Sequence, residues 1–352
     1  MAGRQWRTPR GSQSYSLSVA ARLTLVSNEI DELVGRADLD GLIRLIDTIC
    51  SMSDWHQLLN IRNACRVAVH SGRQLWPAAT LAEYRLALHS PANWSTVVIA
   101  AEASRFTLGP LTEVIAQNHM WRELVHQLPY GPQSTFVAYE CALRGQVIDE
   151  PDSLFPALEI PVACGTWEPK YQLAEYSDNE ATFPAPQLPP SSHSEKISTS
   201  DGQRLDEPEI SQASIHLVEG WTGQSNGKCE SVVSRGEPAR ALGALGLSSA
   251  NLRPLDSASA MEWMAWAGAS GGAHGRRRGA ATGRLNAWWM LAALDHSLDL
   301  WPLSNLGAHE IAERWNWWWW DADEPATGWQ LQLVAHNETE GLTWAINAKD
   351  ES

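Results

Sequence analysis

Trp315-Asn316-Trp317-Trp318-Trp319-Trp320, followed by the turn-forming residues Asp321 to Thr327 and the apolar run Gly328 to Ala335, reads as a β-hairpin. Side chains of a strand alternate between its two faces. Tryptophan at five of six positions therefore loads both faces, and the strand has to be buried on both. Upstream, Ser214 to Gly220 and Lys228 to Ser234 read as a second strand pair around a Gly223 to Gly227 turn. Pro238 to Leu245, Ser257 to Ala267 and about His274 to Ser297 read as helices, and Gly341 to Ala348 as a short closing helix. Hairpins at both ends with helices between them define an α+β domain over 214–350 whose sheet is antiparallel.

Toward the N-terminus the period changes. Val19, Leu23, Val26, Ile30 and Leu33 recur at spacings of four and three, one side of a helix. Leu42, Leu45, Ile46 and Ile49 mark a second helix; Ser53 is the expected N-cap of a third that stops at Gly72. A fourth lies between Pro77 and Pro91, and further segments begin at Gly109-Pro110 and Gly131-Pro132. Helix starts every twenty residues or so make 15–150 a helical-repeat-like, α-solenoid-like domain, preceded by a disordered tail over 1–14. The class is mainly α. Prolines from Pro151 to Pro190, interleaved with Trp167, Tyr171, Tyr176 and Phe183, predict an extended strap over 151–190 packed on a neighbour. The polar composition of 191–213 predicts a flexible linker and the domain boundary.

Composition sets limits on function. With 352 residues, 44% hydrophobic and 19% charged, the chain can bury substantial cores. Its net charge of −15 opposes general affinity for nucleic acid or acidic membranes. The longest apolar run, Trp288 to Leu294, is 7 residues, short of a membrane span, and no secretory leader is legible, so a cytoplasmic location is expected. Five scattered cysteines without a CxxC pair argue against a disulfide framework or zinc knuckle. No cofactor or metal is expected.

Unusual chemistry concentrates in 268–284. Residues 263–294 contain no acidic residue, whereas Arg276, Arg277, Arg278 and Arg284 contribute four positive charges. Gly271, Gly272 and Gly275 beside His274 and these arginines suit an anion cradle, because backbone N–H groups before a helix and guanidinium forks both bind phosphate or carboxylate. The structural alternative spaces Gly275, Gly279 and Gly283 four apart as a flat stripe for close helix packing, with Arg284 stacked on Trp288. Gly268-Ala269-Ser270-Gly271-Gly272 satisfies G-x-S-x-G, but the expected helix before it is wrong for a nucleophile elbow. His119, Glu123 and His126 would share one helical face, yet the second Glu-x-x-His of a di-iron bundle is missing. His309-Glu310-x-x-Glu313 lacks the second histidine of a zinc-protease helix. No catalytic constellation emerges. Trp317 and Trp319 are the candidates for an aromatic stacking platform, against the commoner fate of tryptophan in a core.

Phe106-Thr107-Leu108-Gly109-Pro110-Leu111, Glu219-Gly220-Trp221 with Ser225-Asn226-Gly227, Ser270 to Gly279, and Glu324-Pro325-Ala326-Thr327-Gly328-Trp329 resemble an uncharacterised bacterial family of hypothetical proteins. The resemblance spans roughly 75 to 350 and implies that the two halves belong together; it transfers no activity. The expected function is therefore that of a non-enzymatic interaction or regulatory protein whose helices meet a protein partner. The alternative is an enzyme or sensor holding a phosphorylated or carboxylated small molecule at 268–284.

Overall fold

A computed structural model describes residues 19–99, 108–325 and 328–351, with side chains from 27 onward. The tail expected over 1–14 lies outside them. The chain divides into two compact units, 1–83 and 84–352.

In the first unit α1 (Val19–Arg36), α2 (Leu39–Ser51) and α3 (Trp55–His70) pack mutually, α1 touching both others. Asp38 and Asp54 cap α2 and α3 by accepting from the Gly41 and Gln57 amides, the role expected of Ser53 falling one residue later. Gly72, at φ +87°, ends the third helix in the left-handed conformation. Leu42, Ile46, Ile49, Leu58 and Ile61 are buried. Glu83, also buried, is held by Arg62 at 2.8 Å and Arg66 at 2.6 Å.

The helix α4 (Trp76–His89) leads into the second unit, where α5 (Ala92–Ser95), α6 (Leu111–Asn118), α7 (Trp121–Leu124) and α8 (Pro132–Leu143) follow. Next come a two-stranded ribbon of β1 (Glu175–Tyr176) and β2 (Ala181–Thr182), then β3 (Glu195–Ser198), α9 (Pro208–Leu217), α10 (Glu219–Gln224) and β4 (Lys228–Arg235). The remainder is α11 (Pro238–Ala244), β5 (Ser249–Leu255), α12 (Ser257–Ala269), α13 (Ala280–Leu294), α14 (Asn305–Arg314), β6 (Asn316–Asp321), β7 (Trp329–Asn337) and β8 (Leu342–Asp350). Six of these strands form an antiparallel sheet in the order β3-β5-β6-β7-β8-β4. The fold is mainly helical with an α+β part.

Both faces of the sheet are buried, as the tryptophan run requires. Trp317 and Trp319 join Trp344, Leu333 and Ile346 in a core with α9, α12 and α13; Trp319 and Trp263 lie 4.4 Å apart between ring centres. Trp320, Val334, Ala345 and Val232 face the other way and pack on Ala241 and Leu242 of α11.

Four expectations are corrected. Ser214–Gly220 is helical, because Ile210, Ala213, Ser214 and Leu217 recur at spacings of three and four and bury as one stripe of α9. Residues 342–350 form the long strand β8 rather than a closing helix: Leu342, Trp344, Ile346 and Ala348 alternate onto the core face with Thr343, Ala345, Asn347 and Lys349 opposite them, a period of two. The segment 191–213 is not a free linker, since β3 pairs with β5 and α9 begins at Pro208. The helix expected from His274 starts only at Ala280; Gly275 and Gly279 therefore precede it, and of the proposed stripe Gly283 alone serves helix packing, where a Cβ would come within 2.1 Å of the Ala265 carbonyl oxygen in α12.

Candidate functional site

The loop between α12 and α13, residues 270–279, forms one wall of an open cleft of about 1330 Å³. Arg276, Arg277, Arg278 and His274 line it together with the half-buried rings of Phe183 and Trp329, and among the described residues no Asp or Glu does. In a chain of −15 that is a cationic surface.

The loop is fixed by its own hydrogen bonds. The Gly272 amide donates to Ser270 Oγ at 2.9 Å, Ala273 to Asp350 Oδ2 at 2.6 Å, His274 to Ser225 Oγ at 3.1 Å and Arg276 to Gln224 Oε1 at 3.3 Å. The amides of Arg278 and Gly279 both reach the Ala269 carbonyl. Gly272 sits at φ +70° with Asp350 Oδ2 only 2.0 Å from where a Cβ would be, so the turn admits glycine alone. Four of the loop's amide groups, those of Gly272, Ala273, His274 and Arg276, therefore serve the fold.

The N-terminus of α13 is also occupied, by two carboxyl groups of the chain itself. Glu113 of α6 accepts from the Ala280 amide at 2.9 Å, and Glu140 of α8 from the Ala281 amide at 2.8 Å. Glu113 further receives Arg277 in a two-pronged pair, Nε at 2.8 Å and Nη2 at 2.9 Å, and the hydroxyl of Tyr176. Burial alone would raise the Glu113 pKa, but the Arg277 charge and these hydrogen bonds hold it below the ordinary carboxylate value. Glu140 has no such guanidinium fork, and its Oε2 is buried without a partner. Burial, and then the Glu113 charge, push its pKa up to about 8, so it is a neutral acid at pH 7.

Arg284 is consumed in the same manner. Its Nε and Nη2 meet Glu168 of the strap at 2.6 and 2.7 Å, its Nη1 meets the Pro161 carbonyl at 2.6 Å, and both side chains are fully buried. Its guanidinium stands 5.3 Å from the Trp288 ring centre, the stacking expected from the sequence. Tyr171 and Gly165 donate to the same carboxylate, which fastens the strap to α13. Arg284 does not reach the cleft. Arg278 does: it is part-exposed, its pKa is lowered by burial and only partly restored by Glu219 at 3.4 Å.

The other candidates separate. Trp317 and Trp319 are 3% and 5% exposed, so neither offers a ring to a ligand; the sheet's helix-covered face claims both. Ser270 is buried, follows a helix and accepts from Trp221 Nε1 at 3.2 Å, a structural role. His119 caps the end of α6, while Glu123 lies in α7 and returns to the Met120 amide, so the expected continuous helical face is interrupted. Among the described residues no group of three or more His, Cys, Asp or Glu is placed to hold a metal, and no helix is long and apolar enough to cross a membrane. What the sequence reading missed is Glu113, Glu140 and Glu168. They lie over a hundred residues from their partners, and only the unbalanced charge of 263–294 hinted that carboxylates had to arrive from elsewhere.

Fold and cleft together define a mainly helical protein whose α+β part carries a loop-walled, cationic cleft. The chain belongs to DUF6183, a family of unknown function whose model matches residues 40–352. No curated protein and no solved structure matches it.

Proposed function

We propose that this protein binds a small anionic molecule in the cleft beside residues 270–278, the anionic group meeting Arg276, Arg278 and His274 and an apolar body lying against Phe183 and Trp329. The observation that carries this reading is the lining: Arg276, Arg278 and His274 stand on the wall with no carboxylate beside them in it, Arg277 being paired behind it with Glu113, on a loop held by its hydrogen bonds. Preorganisation matters because a loop already ordered loses little entropy on binding. The volume accommodates a drug-sized ligand with room to spare. Arg277 contributes through position, since Glu113 takes both prongs of its fork.

A protein partner docking on the helices of the first unit is the other reading. Its support among the described residues is two exposed apolar side chains, Met52 and Val67, less than the cleft provides.

Thermal unfolding with phenyl phosphate and with benzyl alcohol tests the proposal. Phenyl phosphate at a hundredfold excess over its Kd stabilises the native state by about 2.7 kcal/mol, and the uncharged benzyl alcohol does not. Arg276→Gln with Arg278→Gln removes the shift. Equal shifts in wild type and double variant, or none from phenyl phosphate or any other phosphate or carboxylate probe, refute it.

A further inference from the structure

A second cavity, of about 590 Å³, opens between α9, α13 and the strap, and its chemistry is opposite to that of the cleft. Two half-buried tryptophans, Trp289 and Trp301, meet edge to face with ring centres 5.0 Å apart and interplanar angle 67°. Two carboxylates, Glu159 and Glu219, line it, and no Lys or Arg does. Glu159 is exposed and its Oε2 accepts from Trp301 Nε1 at 3.1 Å, which fixes the indole; among the described residues it has no cationic partner. Glu219 faces Arg278 at 3.4 Å and His216 at 3.6 Å, both longer than a tight ion pair. Ile215, 52% exposed, and Leu285 add apolar wall.

We propose that this cavity binds an organic ammonium ion, its charge against the indole faces of Trp289 and Trp301 and the carboxylate of Glu159, and its hydrocarbon against Ile215 and Leu285. Electron-rich ring faces attract a cation, an unpaired carboxylate adds charge, and the apolar wall accepts what an inorganic cation would leave uncovered. The inference is independent of the anion cleft. The two sites meet at Arg278 of the cleft, which faces Glu219 at 3.4 Å and donates to the His216 carbonyl at 3.4 Å.

Titration with choline, with butylammonium and with 3,3-dimethylbutan-1-ol, the uncharged isostere of choline, followed by the indole N–H signals of the intact chain, decides the matter. At least one ammonium probe shifts the Trp289 and Trp301 signals saturably, the isostere binds at least tenfold more weakly, and the response to choline against butylammonium tells a quaternary from a primary ammonium site. Trp289→Leu weakens the probe about tenfold, the loss of one close cation–π contact. Glu159→Gln, a change at an exposed position that leaves the fold intact, weakens it severalfold. Indistinguishable binding of probe and isostere, an unchanged affinity in Glu159→Gln, or no saturable shift from either ammonium ion overturns the proposal.

Discussion

Arg277 and Glu113, 164 positions apart, are joined by two parallel hydrogen bonds with both side chains buried, and the same carboxylate closes the first turn of α13. Removing one partner leaves a desolvated charge. Arg277→Met therefore destabilises the second unit by about 3–5 kcal/mol, and Glu113→Met by a similar amount, whereas the double substitution costs clearly less than their sum. Denaturant unfolding of the four proteins checks this; additive losses would mean the two groups are not coupled.

Glu140 gives the molecule a pH dependence with a definite sign. Its pKa is raised from 4.5 to about 8 on folding, so between those values the folded chain holds a proton that the unfolded chain has released. Stability from this group is fully present below pH 4.5, falls as pH rises through the window, by at most about 1.4 kcal/mol per pH unit, and levels off above 8. The pKa values of His89 and His119 are lowered by burial and act with opposite sign below 6.5, and the thiols of Cys65, Cys141, Cys164 and Cys229, raised by burial from 9.0, add to the fall only toward pH 8.5, so the slope between pH 6.5 and 8 belongs chiefly to the carboxyl. Glu140→Gln flattens the slope there and leaves the variant more stable than wild type at pH 8.5. Parallel pH profiles would show that Glu140 is ionised in the fold.

Trp317 separates core from platform. Trp317→Ala lowers stability by about 3–5 kcal/mol, as expected for a buried indole whose cavity collapses only in part. Bound to saturation, phenyl phosphate and choline each raise the melting temperature of Trp317→Ala as much as that of wild type. A variant of unchanged stability that lost either response would return the residue to a ligand site.

Gly272→Ala tests the rigidity of the loop. A Cβ at φ +70° meeting Asp350 has to displace either the loop or the end of β8. The expected result is a loss of about 1–3 kcal/mol together with weaker phenyl phosphate binding, read by thermal unfolding and titration. Full stability with unchanged affinity would mean that the turn relaxes freely.

How much of this was legible in the sequence follows from the range of each signal. Trp317, Trp319 and Trp320 announce a strand buried on both faces because alternation is local. Arg284 beside Trp288 announces its stacking because four residues are one helical turn. Leu342 to Asp350 carries a legible period of two, with Leu342, Trp344, Ile346 and Ala348 against Thr343, Asn347 and Lys349, which the helix reading passed over; Ser214 to Gly220 misled because seven residues are too few to separate a strand from a helix stripe. The arginines were visible and their partners were not: Glu113, Glu140 and Glu168 arrive from α6, α8 and the strap, so whether the island faced ligand or protein depended on tertiary contacts. Both outcomes occur, with Arg277 and Arg284 internal and Arg276 and Arg278 at the cleft.

Calorimetric titration of phenyl phosphate into wild type and into the Arg276→Gln, Arg278→Gln protein, at low and at high salt, bears on the cleft more directly than any other experiment. Saturable binding to wild type that weakens as salt is raised, and that disappears in the paired variant at either salt, is the result expected of an anion held by those two guanidinium groups. Heats that are the same in both proteins, or affinity indifferent to salt, would show that the cleft's positive lining does not bind anions.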